Sequence, residues 1–463
     1  GDTMSKITLG QAAQWCGGQV EKQFEDVEFL GANNDTRLIR PGQLFVALQG
    51  ARDGNDFVPE AMAKGAAAAL CSRPMHGIPA IVVQDTRVAL GKIAAGERQR
   101  LGMKVVGITG SVGKSTTKEM VAAVLETTFR TAKTPVNHNN DIGMPMAILA
   151  MPEDTEVAVL EMGMNHFREM AYLSQIARPD IAVIVNIGTA HIEFLGTVAG
   201  IRQAKMEILE GMEPGGKLLL NGDDVMLRHL DRKPQQELVY FGSDDGCQIQ
   251  CAQVCNAEGK LCFQVTAGGE TFPIEMPLEG RHFVSDAMAA VAVGLELGVL
   301  PARICQGLHS FRNLSGRQEI FEAYGLTFIK DCYNAGPESM VAALHVLGDR
   351  KGRKVAVLGD MLELGDRAAA EHYRIGRIAA ERVDWVLAYG PNAERVIGGC
   401  LTGGMPENRA LAFTDQTAIL CELQRMARPG DVILFKGSRG MHMEKVLEDF
   451  LKYEKDLNGG TPQ

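Results

Sequence analysis

One stretch constrains the fold more than any other. Residues 105–109 form a short apolar run that leads straight into Gly110, Ser111, Val112, Gly113, Lys114, Ser115 and Thr116. Residues 116–127 then carry a helical pattern. A buried strand, a glycine-rich turn and a helix, in that order, are the context of a phosphate-binding loop. Glycines let backbone N–H groups approach phosphate oxygens, and the helix N-terminus adds a favourable dipole. In such a loop Lys114 would neutralise the outer phosphates and the Ser115 hydroxyl would ligate Mg²⁺. The commoner, longer motif has a glycine at the position of Ile108; here the spacing is the shorter G-x2-G-K-S.

Similar apolar runs recur at 157–160, 181–185 and 217–220, each followed by polar or glycine residues. That is the pattern of strands buried on both faces of a largely parallel sheet. Residues 238–278 read as an antiparallel β excursion inside the same domain, and 282–300 as an Ala-rich helix. Before the loop, a turn at Pro41 and Gly42, a strand at 45–48, an Ala-rich helix at 60–70 and a strand at 80–83 suggest a small α/β domain. After Gly316 and Arg317, apolar runs at 326–329, 355–358, 385–388 and 432–435 alternate with helical patterns at 338–347, 367–382, 415–427 and 441–453. This alternation implies a second doubly wound, Rossmann-like domain. The chain is therefore expected to be α/β with three domains: a small one at 1–102, a central mononucleotide-binding parallel sheet with the β excursion at 103–314, and the Rossmann-like one at 315–463. Hinges are expected near 100–104 and 314–317. A length of 463 residues fits, at roughly 100–200 residues per domain.

Composition narrows the function. No apolar run approaches the roughly 18 residues that a membrane span requires. The N-terminus lacks a basic stretch followed by an apolar core, so no secretory signal is expected. Ten cysteines without such a signal read as reduced thiols, and the expected location is the cytoplasm. Cys247, Cys251 and Cys255 recur every four residues, with Cys262 beyond, unlike the tight C-x2-C pairs of zinc sites; they read as small core or surface residues. The net charge of −10 argues against a general binder of nucleic acid or anionic membrane. Any phosphate ligand must be held by a few local cations and backbone amides.

Three further residues follow apolar runs or lie close behind them: Glu161, His191 and Lys205. Ligands of open α/β sheets bind at the carboxyl ends of strands, so Glu161 and His191 are candidate metal ligands facing the phosphates. A plain ammonium from Lys205 beside Mg²⁺ would be repelled, whereas a lysine carbamylated by CO₂ becomes an anion and would be attracted. Asn137, Asn139 and Asn140 stand in a turn-rich segment that ends at Pro145. They suit tight turns, and their amides could also read a sugar or phosphate-bearing ligand.

Taken in order, these motifs resemble the Mur ligase family of ATP-dependent amino-acid ligases, over essentially the whole chain. Thr109 to Ser115 matches the family's T-G-x-x-G-K-[ST] loop. Asp35, Thr36 and Arg37, with the run from Pro41 through Phe45 and Ala47 to Gly50, resemble its uridine-binding domain. Glu161, Gly163, Asn165 and His166 match its E-x-G-x-N-H, and Lys205 lies in its A-K-x-E. In the C-terminal block, Asp331, Tyr333, Asn334, Ala335, Pro337, Ser339 and Met340 resemble D-S-Y-N-A-N-P-x-S-M. Asp360, Met361, Glu363 and Gly365 match G-D-M-x-E-L-G, and Lys436, Gly437, Ser438 and Arg439 match K-G-S-R. Four positions depart from the pattern: Phe283 and Asp286 each replace an Asn, Cys332 replaces a Ser, and Gly336 replaces an Asn.

The resemblance implies an ATP-dependent ligase that adds D-alanyl-D-alanine to UDP-N-acetylmuramoyl-tripeptide through an acyl phosphate. The C-terminal motifs, and the lack of a D-N-P-R segment, favour this over a sibling adding a single residue; the Glu161, His191 and Lys205 set argues against a nucleotide-binding regulator without ligase activity. It implies ATP contacts from Thr109, Gly110, Ser111, Val112, Gly113, Lys114, Ser115, Thr116, Asp286, Arg317, Asp331, Tyr333 and Asn334. Substrate contacts are implied for Thr36, Arg37, Phe45, Ala47, Asn137, Asn139, Asn140, Lys436, Ser438 and Arg439. Two Mg²⁺ ions are expected on Ser115, Glu161, His191 and a CO₂-derived carbamate on Lys205. Lys114, Glu161, His191, Lys205 and Arg317 are the expected catalytic set, and the chain is expected to act as a monomer.

Overall fold

A computed structural model describes residues 3–460. Packing groups them into two compact units. The first holds the chain through Val185, with Arg202–Gln250 and Ala287–Gly307; the second holds Asn186–Ile201, Cys251–Asp286 and the chain from Leu308 onward. Two of the stretches that the sequence assigns to a central domain thus pack in the unit of the C-terminal sheet.

The first unit opens with a four-stranded parallel sheet, ordered Ala32–Asn33, Leu44–Val46, Ala68–Cys71, Ala80–Val82. The Ala-rich run expected to be one helix over 60–70 is divided. Helix Val58–Ala63 is short, the chain turns at Gly65 with φ +98°, and 68–71 is a buried strand. A short alanine run fits either element, and the turn glycine decides it. Helix Thr86–Leu101, capped by the Asp85 carboxylate at one end and left-handed Gly102 at the other, leads to strand Lys104–Thr109.

That strand sits inside a parallel sheet ordered Thr131–Lys133, Val157–Glu161, Lys104–Thr109, Ile181–Ile184, Lys217–Asn221, Glu237–Gly242. The chain runs first to one side of Lys104–Thr109 and then to the other, so its carboxyl end is a topological switch point, where open α/β sheets bind ligands. The expected antiparallel excursion begins later than 238. Residues 237–241 pair in parallel with Lys217–Asn221, because the short helix Val225–Arg228 carries the chain back in the same direction. The antiparallel part is the hairpin Lys260–Ala267 with Glu270–Met276, in the second unit.

The second unit is built on a six-stranded sheet ordered Glu319–Ala323, Leu326–Asp331, Val432–Lys436, Lys354–Gly359, Trp385–Tyr389, Ala410–Phe413. Only the first pair is antiparallel. Successive residues of a strand point to opposite faces. Accordingly Val355 and Val357 enter one apolar core, and Ala356 and Leu358 the other. This is the expected doubly wound arrangement. Asp331 and Lys436 are paired in register at the strands' carboxyl ends, so the motifs at 331–334, 359–365 and 436–439 meet at one edge. Among the described residues, no helix is long and apolar enough to cross a membrane.

Candidate active site

In the first unit, buried Thr109 closes its strand and Gly113 turns with φ +82° into helix Lys114–Glu126. Lys114 is thus the first residue of a helix whose free N–H groups face the loop. One residue on, the Ser115 hydroxyl donates to Glu161 Oε1 at 2.6 Å. The other carboxylate oxygen of Glu161 accepts from Asn139 Nδ2 at 2.7 Å, and its backbone N–H donates to Thr134 Oγ1 at 3.0 Å. The sequence reading missed a fourth partner, Lys118. It is fully buried; its Nζ donates to the Thr134 carbonyl at 2.7 Å and lies 3.9 Å from Glu161 Oε1. Its place one helical turn after Lys114 was the available signal. Thr109 Oγ1 is buried without a hydrogen-bond partner, an unsatisfied hydroxyl at the foot of the loop.

Glycine at 163 has a packing reason. A Cβ there would lie 2.9 Å from Asn139 Nδ2, and the Gly163 N–H donates to the Asn139 carbonyl at 2.9 Å. Asn140 has local work as well: its Oδ1 accepts from the N–H groups of Ile142 and Gly143, at 3.1 and 2.7 Å, where helix Gly143–Leu149 begins. Asn137 is left-handed at φ +68°. His138 has a buried Nδ1 without a hydrogen-bond partner, and burial, then the Lys118 charge, lower its pKa.

Lys205, near the end of helix Val198–Met206, is 2% exposed. Burial and the nearby Lys114 charge hold its amine well below the ordinary lysine range. A neutral amine is the form that reacts with CO₂.

The N-terminal candidates divide. Arg37 is clamped by its neighbour Asp35 at 3.0 and 2.9 Å and stays exposed. The Thr36 carbonyl accepts from Lys64 Nζ at 3.0 Å. Phe45 and Ala47 have side chains in the apolar core, so only their backbone is available to a ligand.

In the second unit, Tyr333 is the centre of a cationic stack. The Arg317 guanidinium lies 3.7 Å from the ring centroid and that of Arg439 5.3 Å. Among the described residues, neither arginine forms an ion pair. Lys436 differs: it is buried, 3.1 Å from Asp331 Oδ2, and donates to the Asn334 carbonyl at 3.0 Å. Its charge is committed to holding the 331–334 turn, a role its motif did not reveal. Ser438 ties three loops. Its N–H donates to the Asp360 carbonyl, its hydroxyl donates to the Ala335 carbonyl, and that hydroxyl accepts from the Leu362 N–H. Asp286 is buried on the first turn of helix Phe283–Glu296. Burial and nearby acidic groups push the Cys332 thiol up to about 12, so it is a neutral core residue there. His191, at φ +62°, places Nδ1 2.9 Å from Glu363 Oε2. The four cysteines at 247–262 join no metal cluster: among the described residues no group of three or more His, Cys, Asp or Glu side chains is arranged to hold a metal.

Two family models match the chain: the Mur ligase middle domain over residues 108–294, and the Mur ligase glutamate ligase domain over 316–439. The UDP-N-acetylmuramoyl-tripeptide–D-alanyl-D-alanine ligase of Bacillus subtilis is 39% identical over 97% of this chain and 99% of its own length. The chain belongs to the Mur ligase family. The Escherichia coli protein of the same name is 35% identical, covering 96% of this Mur ligase and 98% of itself. Among solved structures, MurF from Acinetobacter baumannii superposes with a TM-score of 0.90 at 34% identity, over 97% of this chain and 99% of that one. MurF from Thermotoga maritima, solved in complex with ADP, gives 0.83 at 30% identity over 92% and 98%. The phosphate loop, Glu161 and Lys205 fall in the first matched region, and the Tyr333 stack in the second.

Proposed function

We propose that this Mur ligase joins D-alanyl-D-alanine to UDP-N-acetylmuramoyl-tripeptide at the expense of ATP, giving ADP, phosphate and the pentapeptide precursor of peptidoglycan. The observation that carries the reading is the phosphate loop at the sheet's switch point, whose Ser115 hydroxyl meets a buried carboxylate. Near-full-length likeness to ligases of that name supports it.

A carboxylate is a poor acceptor for an amine. Transfer of the γ-phosphoryl group to the tripeptide's terminal carboxylate creates an acyl phosphate. The dipeptide amine then attacks the carbonyl, an amide bond forms, and inorganic phosphate leaves. Lys114 and the loop amides hold the nucleotide phosphates, and Arg317 stabilises the transferring group. Ser115 and Glu161, two hard oxygen donors side by side, suit one Mg²⁺; the family resemblance implies a second, with His191 and a carbamate on Lys205 as its ligands. Magnesium, when bound, draws off charge that develops on the phosphoryl oxygens. The buried Lys205 amine, held well below the ordinary lysine range, suits carbamate formation.

In this reading residues 1–102 hold the uridine nucleotide, 103–314 hold ATP, and 315–463 hold the dipeptide and close over the site. The enzyme works as a cytoplasmic monomer. Phosphate release from ATP, with and without each substrate, tests the proposal when followed by mass spectrometry. Release that needs both substrates, and a product heavier by one dipeptide, is expected. Release indifferent to the dipeptide, or extension by a single residue, would overturn it.

A further inference from the structure

The segment Asn186–Ile201 carries His191 and packs in the unit of the C-terminal sheet. Its grip comes from a residue outside every motif role above. Glu338 is the second residue of helix Pro337–Asp349. Its Oε1 accepts from both the backbone N–H and the hydroxyl of buried Thr189, each at 3.1 Å, and the hydroxyl lies 3.2 Å from Oε2. The approach is so close that a Cβ on Gly188 would stand 2.9 Å from Glu338 Oε1. Two residues further on, His191 is left-handed and meets Glu363, itself left-handed at φ +61°. Beyond it, Gly365 packs on Glu193, where a Cβ would lie 3.2 Å from the Glu193 Cα. Residues 188–193 are therefore held at three successive points by the C-terminal chain.

We infer that Glu338 is a positioning residue: through Thr189 it fixes the 188–191 turn that presents His191 beside the Glu363 carboxylate. A carboxylate in a helix's first turn also complements the helix dipole. That role needs neither the paired bonds to Thr189 nor the glycine at 188. Outer groups that hold a metal ligand in place matter to binding, and their loss weakens metal affinity by about 10–100-fold. The inference rests on the reading of His191 as a metal ligand.

The test pairs hydrogen exchange of the ligand-free protein with Mn²⁺ binding, followed by electron paramagnetic resonance in the presence of a non-hydrolysable ATP analogue. In Glu338→Ala, amides of residues 187–192 should exchange about tenfold faster, and Mn²⁺ should bind about tenfold more weakly. Glu338→Gln keeps an acceptor oxygen and should stay near wild type. Thr189→Val breaks the hydroxyl contact from the other side and should loosen the same amides. Unchanged exchange at 187–192, or loosening confined to helix Pro337–Asp349, would overturn the inference. So would a loosened turn with Mn²⁺ binding intact. If the wild type and His191→Ala bind Mn²⁺ equally, the metal reading of His191 fails, independently of the exchange result.

Discussion

Ser115 and Glu161 are 46 positions apart in the chain, yet the serine hydroxyl rests 2.6 Å from the carboxylate. The contact joins the first turn of the helix after the phosphate loop to the end of the neighbouring strand. Strand pairing in register, Ile108 beside Glu161, makes it possible. A hydroxyl and a carboxylate brought together by the sheet are held at fixed spacing before any ligand arrives.

Lys114→Ala should lower ATP turnover by about 10²–10³-fold, the usual loss when one preorganised electrostatic contact is removed. Its thermal midpoint should match the wild type, since the side chain serves the loop and not the core. Steady-state phosphate release and a melting curve check both halves; normal turnover would exclude the loop as the ATP site.

Lys118→Met should destabilise the fold by about 3–5 kcal/mol, because removing one member of a buried charge cluster strands the other. The buried carboxylate left behind is Glu161, with Lys118 Nζ now 3.9 Å away, and Glu119, at 3.4 Å, loses the same partner. Denaturant unfolding reads the loss, and a midpoint equal to wild type would refute it.

Gly163→Ala should cost about 1–3 kcal/mol through overpacking. The new methyl would displace Asn139 from Glu161 Oε2, so activity should fall while the fold survives. Asn139→Ala should reproduce the activity loss without the same packing cost; full activity in both variants would show that the Asn139 contact is dispensable.

Lys205 links function to pH. Burial and Lys114 depress its amine well below the ordinary 10.5. The folded protein therefore binds fewer protons there than the unfolded chain, and stability rises with pH between the folded value and 10.5. Lys205→Met should be the more stable protein near pH 7, and that advantage should shrink as pH approaches 10.5. Bicarbonate should stabilise the wild type alone. Lys205→Ala should be inactive and regain part of its activity with a short carboxylic acid. Melting curves at two pH values with and without bicarbonate, and a rescue assay, decide the matter; equal responses in both proteins would remove the carbamate.

Tyr333→Phe keeps the aromatic face under both arginines and should remain active. Tyr333→Ala removes it, and at about 0.5–2 kcal/mol per cation–π contact should weaken catalysis by roughly 2–30-fold per arginine. The split between KM for ATP and KM for the dipeptide shows which guanidinium depends more on the ring. An unchanged Ala variant would make the stack incidental.

What the sequence revealed was what is local. Strand, glycine turn and helix around Lys114 are contiguous, and their chemistry follows from their order. The run at 60–70 failed for the opposite reason: alanine suits a buried strand as well as a helix, and tertiary burial settled 68–71. Helix Ala393–Thr402 and strand Glu319–Ala323 went unread because glycines or charged residues interrupt their periodicity, and strand Ala410–Phe413 because four residues are too few to show one. The site was legible as a set of residues but not as a set of jobs. Lys436 reads as a ligand cation until Asp331, 105 positions earlier, is found beside it. Lys118 and Glu338 act through partners far away in sequence, and no spacing announces them.

The three bonds of Ser438 have a mechanical consequence. They fasten the turns that follow three separate strands into one stiff rim. If the dipeptide docks there, as proposed above, it has no loose loops to order, and little affinity is lost to entropy. Discrimination then rests on shape, because a rim that cannot flex cannot adapt to a bulkier side chain. In that reading, a single hydroxyl sets how narrow the choice of dipeptide is.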